Sequence, residues 1–332
     1  MHLWNILMFE KLRYRRPARL RVSCRVRVVR LALLLLGMGL SQALLASGME
    51  EESGLKLVAT TSFIGELCEA LAGDDAHIRV LMPRGLNPHS YQPSPGDIAA
   101  IEDADRFFIN GLYLETELIE AIDPNTYDHA VWAAITKNVD ILTTDDDDHG
   151  GFNPHVWLSP RNMMAAIGTV RESLVDANPE KARIYMAREK EYLRRLSLLD
   201  TQVREATMSL DKESRRLVTG HPFMDYYARD YGFEIVGHIV DSVSDQAEPS
   251  AREIAKLVEL LKKENIRTIF ISNSAGRAMK SLAETVAAES DRDIRIVELL
   301  VESLAPVGER GSNYFDFTIY NTELIVEALG DN

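Results

Sequence analysis

Beyond residue 54 the chain alternates between two kinds of apolar pattern. Short runs flanked by turn-forming residues read as buried strands over 56–61, 78–82, 106–110, 216–219, 234–240, 268–272 and 294–299. Between them, apolar residues recur three and four apart. In 62–73, Ile64, Leu67, Ala70 and Leu71 share one face and Gly73 ends it, which predicts a helix. Comparable patterns predict helices over 95–102, 160–175, 222–231, 276–290 and 314–329. Ser250-Ala-Arg-Glu253 is a capping box that opens a further helix to 264. Strand–helix alternation of this kind predicts parallel α/β structure.

One segment breaks the rhythm. Residues 180–208 contain neither Gly nor Pro. Ile184, Tyr185, Tyr192, Leu193, Leu196, Leu199, Val203 and Met208 form an apolar face, while Arg, Lys and Glu fill the other. At 1.5 Å per residue such a helix is roughly 43 Å long, enough to cross two lobes as a strut. The 332 residues, 46% hydrophobic and 27% charged, suit two lobes. The expected organisation is an α/β lobe at 49–178, a connecting helix at 179–210 and a second α/β lobe at 211–332.

The first 48 residues form a separate unit. Lys11 and eight arginines stand against the single acid Glu10, an apolar run follows from 31, and Ala46-Ser47-Gly48 closes it. This is the pattern of an export leader, and the run is short and interrupted for a permanent membrane span. Cys24 precedes the apolar run and no cysteine ends it, so a soluble periplasmic protein without a lipid anchor is expected. Only Cys68 would remain, which excludes an intramolecular disulfide. Losing nine basic residues and one acid takes the net charge from −14 to about −22. Nucleic acid and anionic membranes are therefore poor partners.

Candidate chemistry lies in the histidines. His89 sits in Asn87-Pro88-His89, His155 in Asn153-Pro154-His155, and His221 in Thr219-Gly220-His221-Pro222. Each falls where a strand or loop hands over to the next element, the edge at which parallel α/β sheets bind ligands. Proline just before the imidazole reduces the entropy lost in fixing it. Three such imidazoles suit a divalent metal and leave room for a fourth donor. Asp145–Asp148 with His149 reads as a solvated acidic loop, with a weak metal-collecting site as the alternative. Trp157 and Tyr91 are expected to pack around the site, and His238 and Asp241 to be structural neighbours.

Longer motifs carry a family resemblance. Residues 83–95 (PRGLNPHSYQPSP), 153–160 (NPHVWLSP), 220–227 (GHPFMDYY), 248–253 (EPSARE) and 314–321 (YFDFTIYN) occur in order over the mature chain. In these the chain resembles the metal-specific solute-binding proteins of ABC importers. The resemblance implies two α/β lobes joined by one long helix, with a metal in the cleft between them. It implies His89 and His155 from the first lobe and His221 and Glu302 from the second as metal ligands. Glu302 stands where the family usually has Asp, and Asp316 is the fallback carboxylate. It further implies capture of Zn²⁺, or alternatively Mn²⁺, for an ABC importer permease, by a monomer that is not an enzyme. The nitrogen-rich set favours Zn²⁺. The rival reading is a zinc-dependent hydrolase with Glu302 as general base, although no HExxH, GxSxG or P-loop is present.

Overall fold

The computed structural model describes residues 54–122, 131–144, 146, 150–244 and 249–330. The expected leader at 1–48 and most of the acidic segment, Asp145, Asp147, Asp148 and His149, lie outside the described residues. In the first lobe β1 (Leu55–Ala59), α1 (Ser62–Ala72), β2 (Ala76–Val80), α2 (Pro95–Glu102), β3 (Arg106–Ile109), α3 (Thr116–Ala121) and β4 (Val131–Ala134) build a parallel sheet of order β2-β1-β3-β4. Two helices follow, α4 (Pro160–Ala177) and α5 (Ala182–Met208). The second lobe adds β5 (Arg216–Thr219), α6 (Asp225–Tyr231), β6 (Glu234–His238), α7 (Ala251–Lys263), β7 (Thr268–Ser272), α8 (Arg277–Glu289) and β8 (Arg295–Leu299). Its parallel sheet runs β6-β5-β7-β8, the same winding as the first, and α9 (Tyr314–Gly330) closes the chain. The expected two-lobe parallel architecture is therefore what the chain adopts. The short elements β4 and α3 were not legible in the apolar pattern.

The helix starts follow their local chemistry. Thr61 accepts a hydrogen bond from Ile64 N, and Ser159 from Asn162 N with Pro160 at the first helical position. Ser94–Asp97 and Ser250–Glu253 form reciprocal capping boxes. In the strands, period-two alternation divides the apolar side chains between two faces. Val58, Phe107 and Ile109 enter an outer core under α2 and α3, whereas Leu57, Ala59 and Phe108 enter a central core. The second sheet repeats this: Val218, Ile269 and Ile271 face an outer core with α7 and α8, while Leu217 and Phe270 join the same central core. Each buried aliphatic or aromatic side chain there contributes about 1.5–3 kcal/mol.

That central core is continuous from lobe to lobe. Phe63 of α1 stacks on Trp157 with centroids 5.4 Å apart and meets Phe317 of α9 edge-on at 5.0 Å. Helix α5 buries Tyr185, Tyr192, Leu196, Leu199 and Val203 against it. Ile184 and Met208, placed on the apolar face by the sequence pattern, are 45% and 64% exposed. They fall outside the narrow stripe set by the 192, 196, 199 and 203 positions. Arginines tie α5 to both ends: Arg188 donates to the carbonyls of Leu71 and Ala72 at the end of α1, and Arg204 to that of Asp230 in α6. Carbonyls at helix ends are short of α-helical partners, and the guanidinium groups supply donors to them. Cys68 is fully buried and behaves as a small apolar residue, its thiol pushed up by burial. Among the described residues no helix is long and apolar enough to cross a membrane.

Candidate metal centre

The four candidate residues lie on segments that follow strands or connect them to the next element. After β2 the segment 83–91 returns to the cleft in a short 3₁₀ turn, Pro88–Ser90, capped by the Asn87 side chain, which accepts from His89 N at 3.0 Å. After β4, the loop 150–155 is fixed by the Thr143–Phe152 bridge and by Asn110 Nδ2, which donates to Pro154 O. His221 lies two residues beyond the end of β5. Glu302 lies three residues beyond β8, where the chain re-enters the interior.

These four side chains converge. His89 Nε2 is 3.1 Å from His155 Nε2, and His221 Nε2 is 3.3 Å from His155 Nε2. Glu302 places Oε1 3.3 Å from His221 Nε2 and Oε2 3.8 and 4.0 Å from His89 and His155 Nε2. One donor atom from each residue lies within 4.8 Å of all the others. Four ligands at roughly 2.0–2.1 Å around a tetrahedral Zn²⁺ stand about 3.3–3.4 Å apart, which the His89–His155 and His155–His221 edges nearly match, while the carboxylate must draw closer to His89 and His155.

Electrostatics point the same way. His155, His221 and Glu302 are 0%, 1% and 1% exposed. Both Glu302 carboxylate oxygens are buried and have no hydrogen-bond partner. A carboxylate removed from water without donors costs several kcal/mol unless a cation offsets it. The imidazole of His155 is held well below the usual range by burial, reinforced by the neighbouring His221 and His89 rings. Asn153 Oδ1 accepts from both His155 N and His155 Nδ1 at 3.0 and 2.8 Å. This fixes the proton on Nδ1 and leaves the Nε2 lone pair facing the cluster. A neutral His155 imidazole beside an unsatisfied carboxylate presents a lone pair and a negative charge to a borderline cation.

The remaining expectations fall into place around this centre. Trp157 is buried, meets His155 edge-on at 5.3 Å and donates from Nε1 to Val301 O, next to Glu302. Tyr91 donates its hydroxyl to Asp97. His238 bonds Thr219 Oγ1 through Nδ1, and burial and the nearby His221 push it down to about 4. The fallback carboxylate Asp316 accepts from Arg310 Nε and Gly311 N and is 31% exposed, so it belongs to a surface network and not to the cluster. Sequence reasoning missed Asn153 as a side-chain partner and Asp225 entirely. Asp225 is raised to about 6, chiefly by burial. It also missed Glu115, whose carboxylate accepts from Thr60 Oγ1, Asn110 N and Gly111 N and braces a loop with positive φ at Gly111, Leu112 and Tyr113. A cavity of about 190 Å³ lies against this loop and is lined by His89, Tyr113 and Glu115.

Fold and site together define a two-lobed α/β binding protein whose cleft presents three imidazoles and one carboxylate able to hold a metal ion. Residues 57–328 match the family ZnuA, described as zinc-uptake complex component A, periplasmic, and the chain belongs to that family. It is 30% identical over 280 residues to the manganese-binding lipoprotein MntA of Halalkalibacterium halodurans, covering 84% of this chain and 90% of that one. It is 28% identical to the high-affinity zinc uptake system protein ZnuA of Bacillus subtilis, over 85% of this chain and 90% of that one. The solved periplasmic zinc-binding protein TroA of Treponema pallidum superposes with a TM-score of 0.74 at 28% identity, covering 83% of this chain and 99% of the other. Membership makes this chain a solute-binding component of metal uptake and not an enzyme. The hydrolase alternative has no support in the family.

Proposed function

We propose that this protein captures one divalent transition-metal ion per chain through His89, His155 and His221 Nε2 and a carboxylate oxygen of Glu302, and delivers it to the membrane permease of an ABC importer. The observation that carries the ligand set is the buried Glu302 carboxylate, which lacks any hydrogen-bond partner and faces three converging imidazole nitrogens. Four protein donors fill the shell that a hydrolytic zinc site leaves open for water. The relatives include proteins named for zinc and for manganese. Three nitrogens to one carboxylate favour Zn²⁺, both by ligand preference and by the general affinity order.

Residues 1–48 act in this reading as the export leader to the periplasm. Residues 49–178 and 211–332 form the two lobes around the connecting helix 179–210, and the mature protein works as a monomer. The test is metal analysis of protein purified without chelators or affinity-tag metals, followed by competition between Zn²⁺ and Mn²⁺. One bound ion per chain, with Zn²⁺ displacing Mn²⁺, is expected. Substoichiometric metal, or Mn²⁺ displacing Zn²⁺, overturns the corresponding part.

A further inference from the structure

Asn153 makes four side-chain hydrogen bonds, and they divide between the lobes. Oδ1 accepts from the backbone N and the ring Nδ1 of His155. Nδ2 donates to Pro222 O at 2.6 Å and to Asp225 Oδ2 at 3.2 Å. Pro222 directly follows His221, and Asp225 opens α6 of the second lobe. The two acceptors on one side and the two donors on the other also fix which end of the amide is oxygen. The backbone agrees, since Tyr226 Oη donates to Asn153 O at 2.8 Å. Asn153 is fully buried, so water is not at hand to replace any of these partners.

We infer that Asn153 is a positioning residue that makes the ligand orientation of His155 depend on contact between the lobes, and so sets how fast the bound metal is released. The inference rests on His155 and His221 being ligands, as proposed above. While the second lobe holds Nδ2, Oδ1 is aimed at the His155 ring and keeps its Nε2 on the ion. Separation of the lobes breaks the Pro222 and Asp225 bonds, frees the amide to turn, and removes the acceptor that fixes the His155 tautomer. By reciprocity, an ion that fixes His155 strengthens the Asn153 contact to the second lobe. Asp225 takes part because its Oδ2 holds the amide, while its Oδ1 lies 3.8 Å from His238 Nε2.

The test exchanges the two side chains. Asn153→Asp keeps an acceptor for the His155 ring but loses both donors and faces the Asp225 carboxylate. The double variant Asn153→Asp with Asp225→Asn restores a donor–acceptor pair across the cleft with its polarity reversed. Zn²⁺ affinity and dissociation rate are measured by competition with a chromophoric chelator, alongside the thermal midpoint of each metal-free protein. Asn153→Asp is expected to weaken Zn²⁺ binding about 10–100-fold, mainly through faster release, and the double variant to recover most of that loss. Wild-type binding by Asn153→Asp, or no recovery in a double variant whose metal-free midpoint matches the single variant, overturns the inference. If Asn153→Asp does not fold, Asp225→Ala serves instead: several-fold faster release supports the inference and an unchanged rate refutes it. Failure of the wild type to bind one Zn²⁺ per chain would instead refute the ligand set beneath it.

Discussion

The chain uses the triplet Asn-Pro-His twice, and the two copies meet different surroundings. At both, the asparagine side chain accepts the backbone N–H of the histidine two residues on, at 3.0 Å. Their burial differs. His155 is fully buried between the lobes, its ring held by Asn153 and flanked by Trp157. His89 keeps 5% of its side chain exposed and borders the cavity of about 190 Å³. The triplet supplies a rigid turn in each case, whereas the neighbouring lobe decides whether the proposed ligand imidazole lies in the interior or at the edge of the cluster. His155 should therefore govern retention of the ion, and His89 its entry and exit.

That contrast can be broken by experiment. The largest effect is expected from His155→Ala, which removes the innermost donor where no water can enter; Zn²⁺ affinity should fall more than about 100-fold in chelator competition. His89→Ala should fall less, about 10–100-fold, because water from the cavity can occupy the vacated position. Equal losses for the two variants would erase the distinction between interior and edge ligand.

Acidification sharpens the comparison next. His155 and His238 are neutral in the fold because burial and neighbouring imidazoles lower them from an ordinary value of 6.5, His238 to about 4. The unfolded chain therefore binds more protons than the folded one below about pH 6.5, and metal-free stability falls as pH drops from there toward 4. Asp225, raised to about 6 from 3.8, holds its proton more tightly in the fold and partly offsets the loss below pH 6. Thermal midpoints of metal-free protein should fall over this range, and His155→Gln should flatten the decline. An unchanged pH dependence in that variant would count against the burial of the ring. The smallest effect belongs to Asn87→Ala, which removes the cap of the His89 turn: about 1 kcal/mol of stability, read from chemical denaturation, with metal affinity reduced only several-fold.

Much of this arrangement was legible beforehand, for identifiable reasons. The long strands and helices announce themselves by period, and Ser250–Glu253 by its capping pair. β4 and α3, four and six residues long, are too short for a period to emerge. Helix α6 begins at Asp225 and not at Pro222, because residues 222–224 are spent turning His221 into the cleft. The three histidines stood out through their rigid contexts, whereas Glu302 has no local signature and came only from the family resemblance. Its proposed role depends on the chain beyond β8 coming beside three rings that are distant in the sequence. Asn153 and Asp225 were silent for the same reason, since a hydrogen bond across a cleft leaves no trace in spacing.

The central claim is that three imidazoles and one carboxylate from both lobes surround a single ion. Zn K-edge X-ray absorption on protein loaded with one equivalent of Zn²⁺ tests it most directly. The expected spectrum has a low-coordinate first shell of nitrogen and oxygen near 2.0–2.1 Å with outer-shell scattering from about three imidazoles, reduced to two in His155→Ala. A shell with one imidazole or none, or a spectrum unchanged by that substitution, would contradict the account.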